Sequence, residues 1–201
     1  IIRLIEASYR IVKYGFRTED ILSLLKTGLT EFNSDDISML ENYLYLWKIE
    51  GKVWKSDFFK HPKGFGYDLL EEDAEKLLRL NEIRRAIMLP LIRFGDKYSE
   101  GKASDIGAGI YELLLNLKVH KKISETFNEY IKLGMPDLAK DGSLSWQKLM
   151  DILDEFANSF GDEVISLQEY FSVFKDVVAK AESRDIPMRM DTVAFTSIDV
   201  Y

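Results

Sequence analysis

The residue types able to do chemistry are scattered through this sequence, and their spacing decides what each can do. "GDKYSEGKAS", residues 95–104, has the outline of a phosphate-cradling loop. Such a loop needs four residues between its glycines, then Lys and Ser/Thr, so that backbone N–H groups curl around phosphate. Here five residues separate Gly95 from Gly101, and Lys102 is followed by Ala103. The preceding stretch has helical rather than strand periodicity, so an ordinary turn is the preferred reading. His61 and His120 lie far apart, and neither has the second ligand at helical spacing that a zinc site of the HExxH kind requires. "DLAKDGSLSWQKLMD" lacks the alternating Asp/Asn ligands that precede the glycine of a calcium loop. Ser, His and Asp all occur, without the spacing of a triad or nucleophile elbow.

Two charged groups remain. Glu71, Glu72, Asp73 and Glu75 cluster in "YDLLEEDAEK". Paired carboxylates can hold Mg²⁺ or move protons. At the start of a helix they also complement its dipole, which is the commoner use. The other group is "WKIEGKVWKSDFFKHPKG". From Lys48 to Lys63 it has five lysines against one Glu and one Asp, with Trp47, Trp54, Phe58, Phe59 and His61 among them. Cations interleaved with aromatics can bind single-stranded nucleic acid by charge and stacking. Lys52, Trp54, Lys55, Lys60, His61 and Lys63 are therefore the candidate DNA contacts. The competing reading is an arm whose aromatics pack on the domain while its lysines face water. A formal net charge of -7 and a pI of about 5.0 favour that reading, because phosphate binding needs a basic footprint.

The elements that must position these residues are helical. The chain has 201 residues, 46% hydrophobic and 12% aromatic, enough for a real core in one domain. It has no cysteine, so no disulfide, thiolate-zinc or cysteine-held iron–sulfur site falls within it. No apolar run is long enough to span a bilayer. Ile1, Ile5, Tyr9 and Val12 share a helical face. "YGFRTEDILSLLKTGL", residues 14–29, predicts a turn at Gly15 and a second helix from Thr18, its N-cap. "NSDD" starts a third, carrying Ile37, Leu40, Leu44 and Trp47. "KIEGKVWKSDFFKHPKGFGYD" is a loop or irregular arm. A long helix follows from about Leu69 to Met88, which Pro90 should end or kink. Later helices carry Ile110–Leu117, Ile123–Ile131, Leu149–Phe160 and Leu167–Ala181, the last behind a Ser166/Glu169 capping box. "TVAFTSI", Thr192–Ile198, predicts a strand whose partner is either a stray extended piece near "GKVWKS" or, the favoured choice, lies outside the chain. The missing initial Met and the abrupt end suggest an excised piece.

The order of these segments carries a resemblance. Leu25-Lys26-Thr27-Gly28-Leu29, Glu41-Asn42-Tyr43, Trp47-Lys48-Ile49-Glu50-Gly51 and Trp54 follow one another, then "LNEIRRAIMLPL" at Leu80–Leu91 and "IPMRMDTVAFTSID" at the end. This series resembles the B subunit of the AddAB (or RexAB) helicase–nuclease of Gram-positive bacteria. It extends over nearly the whole chain and is most specific in the first fifty or so residues. One departure is Ile198-Asp199-Val200-Tyr201, where the family often has "ID-R-S-R"; this leaves the Add-type or Rex-type branch open.

The resemblance implies a mainly α, multi-helix 2B-like insertion domain over 1–190 of a superfamily 1 helicase-like protein. Residues 1–17 are possible members of the flanking 2A-like α/β domain, and 191–201 would return to it as a lone strand. It implies a non-catalytic structural and DNA-contacting segment of a cytoplasmic, ATP-dependent helicase/exodeoxyribonuclease that repairs double-strand breaks. The partners implied are the A subunit and double-stranded DNA ends, without a membrane. Catalytic, cofactor and metal sites are expected in this stretch nowhere; ATP, Mg and an iron–sulfur cluster would belong to other parts of the parent. The alternative is a protein-interaction module that docks a partner subunit without touching DNA.

Overall fold

The computed structural model describes residues 1–184. Eight α-helices account for most of them: α1 Ile2–Lys13, α2 Thr18–Leu25, α3 Ser34–Trp47, α4 Glu71–Lys97, α5 Ala103–Asn116, α6 Val119–Lys132, α7 Pro136–Phe160 and α8 Leu167–Arg184. A 3-10 helix at Gly51–Lys55 interrupts the segment between α3 and α4. Two short strands, β1 Glu100–Lys102 and β2 Val164–Ser166, pair antiparallel with Gly101 opposite Ile165.

The α1–α2 hairpin forms where the glycine predicts it. Gly15 and Phe16 both take positive φ, 75° and 65°. The second value is unfavourable for a side chain with a Cβ. It is held by Phe16 N–H donating to Ile11 C=O and by Gly51 N–H donating to Phe16 C=O. Arg10 Nε meets Asp20 Oδ1 at 2.7 Å across the hairpin. Asn33 caps α3 as expected, its side chain accepting from Asp36 N–H at 2.8 Å. The Ser166/Glu169 box also forms in front of α8, each residue bonding the other's backbone N–H.

Thr18 corrects the expected cap. It is the first residue of α2, behind Arg17, and its own side chain is turned into the interior. Its N–H is satisfied by Glu50 Oε2 at 3.2 Å instead. The hydroxyl is needed elsewhere, between Trp54 and Ile49.

Pro90 neither ends nor breaks α4, which runs through it for 27 residues. The lost hydrogen bond and ring clash cost about 3 kcal/mol or more. Ile87, Met88, Leu91 and Phe94 are buried on both sides of it. Each such side chain contributes roughly 1.5–3 kcal/mol, so the core keeps the turns on both sides of the proline helical. α7 likewise begins well before Leu149: Pro136 sits in its first turn, where a fixed φ suits a helix start. Phe160, expected on the buried face of α7, is 46% exposed at the helix's last turn. Residues 95–104 are no simple turn. They close α4, form β1 and open α5, and β1 with β2 ties this junction to the one between α7 and α8. "GKVWKS" forms the 3-10 helix and pairs with no strand among the described residues. The strand expected at 192–198 lies outside the described residues.

One hydrophobic core joins the chain from end to end of the described part. Leu4, Ile5, Ile11, Leu24, Leu40, Ile83, Ile106, Ile110 and Phe174 belong to the same buried cluster. Tyr9 of α1 stacks on Phe171 of α8 with ring centroids 4.3 Å apart. Gly95 finds its explanation here: a Cβ on it would lie 2.8 Å from Val12 Cγ1, so the glycine lets α4 pack closely on α1.

Candidate nucleic-acid interface

The segment from Lys48 to Leu70, between α3 and α4, gathers the basic and aromatic residues, and its first part is anchored. Trp54 is fully buried. Its indole N–H donates to Thr18 Oγ at 3.0 Å, and Thr18 in turn donates to Ile49 C=O. Arg84 of α4 donates to Trp54 C=O at 3.0 Å. Asn81, one turn earlier, brackets Phe58: its Oδ1 accepts from Phe58 N–H at 2.7 Å and its Nδ2 donates to Phe58 C=O at 2.8 Å. Phe58 fills the space between Tyr43 and Trp54, with ring centroids 5.0 and 5.6 Å away. Asp57 binds Arg84 and Arg85 together. The Arg85 hydrogen bond holds the Asp57 carboxyl below the usual carboxylate range.

The second part is clipped down at its backbone while its side chains face out. Tyr43 Oη accepts from Lys60 N–H at 3.1 Å and lies 3.2 Å from Lys60 C=O. Trp47 donates its indole N–H to His61 C=O at 3.0 Å. His61 Nδ1 accepts from Lys63 N–H at 3.0 Å, while Nε2 lies 3.3 Å from Asp68 C=O and 3.5 Å from Asp73 Oδ2. Lys63 Nζ is 3.0 and 3.3 Å from the two oxygens of the buried Asp73. That hydrogen bond lowers the Asp73 carboxyl, against the opposing effect of burial. The acidic start of α4 therefore works structurally: Asp73 fastens the arm, and Glu72 pairs with Lys76.

The six residues singled out from the sequence thus divide. Lys52, Lys55 and Lys60 are exposed and form no ion pair among the described residues. Lys55 lies over the Phe16 ring at 4.9 Å and Lys60 over the Trp47 ring at 4.6 Å. Lys63 is exposed but engaged by Asp73, and His61 is half-buried as a loop clip. Trp54 offers no ring face to solvent, which corrects its place among surface contacts; the core takes it because its N–H finds a partner inside. The stretch exposes other aromatics: Phe59 at 80%, Phe65 at 87% and Tyr67 at 61%. Phe65 and Tyr67 escaped the sequence reading. Their signal was "GFG": Gly64 and Gly66 take φ of 106° and 81° on either side of Phe65.

The remaining motifs carry no such surface. Lys102 pairs with Asp162 at 3.0 Å beside the small sheet. "DLAKDGSLSWQKLMD" lies inside the continuous α7. Among the described residues no group of three or more His, Asp or Glu could hold a metal ion, and no helix is long and apolar enough to cross a membrane. A groove of about 710 Å³ opens between α1, the loop after α2, α7 and α8; among the described residues Ser145 and Thr27 are its only hydroxyls, with no histidine beside them.

The described residues thus form a helical domain with a basic–aromatic arm hydrogen-bonded onto it. No family model matches the chain. It is homologous, along nearly its whole length, to part of the B subunit of bacterial ATP-dependent helicase/deoxyribonucleases. Identity is 30% over 201 residues to the B subunit of the ATP-dependent helicase/deoxyribonuclease of Clostridium botulinum (strain Hall), covering 98% of this chain. It is 27% over 209 residues to the protein of the same name from Alkaliphilus metalliredigens, and 30% over 208 residues to that of Ruminiclostridium cellulolyticum. The chain spans 18% of the length of each of these relatives.

Proposed function

We propose that this chain is a non-catalytic, structural and DNA-contacting segment of the B subunit of a bacterial helicase–nuclease that processes double-strand breaks for recombinational repair. Its place would be the 2B-like insertion of the helicase-like region, in the cytoplasm, with the A subunit as partner. ATP hydrolysis, Mg²⁺-dependent cleavage and any iron–sulfur cluster belong to other parts of that assembly in this reading. The homology to the B subunits of these enzymes supports the setting. The observation that carries the contact role is Lys52, Lys55 and Lys60, exposed and without carboxylate partners among the described residues, on an arm whose backbone is hydrogen-bonded to α3 and α4.

The test is binding of the chain to tailed duplex DNA across a salt series, beside Lys52→Glu/Lys55→Glu/Lys60→Glu. Each phosphate contact contributes roughly 0.7–0.9 to the slope of log K against log salt. Wild type should bind in a salt-sensitive way, and the triple variant should lose about 2–3 from that slope. Absence of binding at low salt, together with salt-insensitive capture of the A subunit, would replace this reading with a docking module.

A further inference from the structure

Phe59, Phe65 and Tyr67 stand out because the rest of this arm is satisfied by the fold. Its buried aromatics have partners, its backbone is clipped, and two carboxylates that hold it are occupied: Asp57 by Arg84 and Arg85, Asp73 by Lys63. Yet three rings remain in water between residues 59 and 67. Leaving a Phe exposed forgoes a large hydrophobic gain, which a binding role for the ring would recover.

The rings are also held in place. Phe65 meets Trp47 edge-on at 4.6 Å, and Tyr67 stacks on His61 at 5.8 Å. Trp47 in turn holds His61 C=O and lies under the Lys60 ammonium. One small network therefore carries two exposed rings and a cation, with Phe59 next to Lys60 in the chain. The two positive-φ glycines set the sharp bend that presents Phe65.

Resting on the DNA-contact reading, we infer that this arm binds single-stranded DNA, stacking unpaired bases on Phe59, Phe65 and Tyr67 while Lys52, Lys55 and Lys60 meet the phosphates. Duplex DNA buries its base faces against one another and offers these rings nothing except at an end. An unpaired strand offers both a face to stack and a flexible backbone for the lysines. The Lys60 ammonium, over the same Trp47 ring that Phe65 meets, distinguishes this surface from a purely apolar docking face.

The experiment compares the wild-type chain on oligo-dT, on an abasic strand of equal length and on blunt duplex, by fluorescence anisotropy across a salt series. Phe59→Ala/Phe65→Ala/Tyr67→Ala is measured in parallel, with circular dichroism confirming its fold. Wild type should prefer oligo-dT over both other ligands by about tenfold or more, and the triple variant should lose that preference while keeping its salt slope. Equal binding of the three ligands by wild type would overturn the inference and leave a phosphate-only DNA contact. Loss of A-subunit capture in the variant, with strand binding unchanged, would overturn it in favour of protein docking. Binding of no DNA at all would overturn the DNA-contact reading itself. Because the decisive comparison of ligands uses wild type, it stands even if the variant misfolds.

Discussion

Residues 49–58 and 59–70 are alike in composition and opposite in fate. Both mix lysine with aromatics, and both connect α3 to α4. The first stretch sends Trp54 and Phe58 into the core, each with its polar groups met by Thr18, Asn81 or Arg84. The second sends Phe59, Phe65 and Tyr67 to the surface, while its backbone and His61 are hydrogen-bonded in place. An aromatic is interior when the surrounding fold supplies both volume and a partner for its polar atoms. The arm thus has an anchored base and an exposed tip.

The sharpest way to break this comparison is to remove the base. Trp54→Ala should cost about 3–5 kcal/mol in urea unfolding, since it leaves a large cavity and strips Thr18 of its donor. A cost under about 1 kcal/mol would mean that the base anchors nothing.

A smaller, pH-dependent effect lies where the tip is fastened to α4. The Lys63 hydrogen bond lowers the Asp73 carboxyl from its ordinary 3.8. A depressed carboxyl stabilises the fold fully above the unfolded value, and the contribution fades as pH falls through the folded one. Protection of the amides in residues 61–68, taken relative to intrinsic exchange, should therefore fall below about pH 4, following the unfolded carboxyl value. Asp73→Asn should exchange faster at neutral pH and lose this acid step. An unchanged acid step in the variant would assign it to another carboxyl, such as Asp36, lowered by Arg79.

The smallest effect is the most telling. Phe65→Ala should alter stability by no more than about 0.5 kcal/mol, because the ring is 87% exposed. A loss above about 1.5 kcal/mol would show that the tip is packed in solution, and the contrast with Trp54 would collapse.

Local signals made much of the fold legible. The Gly15 turn, the Asn33 cap and the Ser166/Glu169 box rest on backbone geometry and side chains within a few residues, so sequence alone specifies them. Apolar spacing gave most helices for the same reason. Where the reading failed, distant residues decided. Pro90 stays helical because buried side chains on both sides outweigh a local penalty. Thr18 gives up capping because Trp54 and Ile49 claim its hydroxyl.

The candidate site follows the same division. That a basic, aromatic arm lies between two helices is determined by composition and by helix signals on either side. Which lysines stay uncommitted and which rings reach solvent was decided by partners far along the chain: Thr18 for Trp54, Asn81 for Phe58, Asp73 for Lys63. Burial is a property of the packed whole, so tryptophan in a lysine-rich loop carries no local mark of whether it is core or surface.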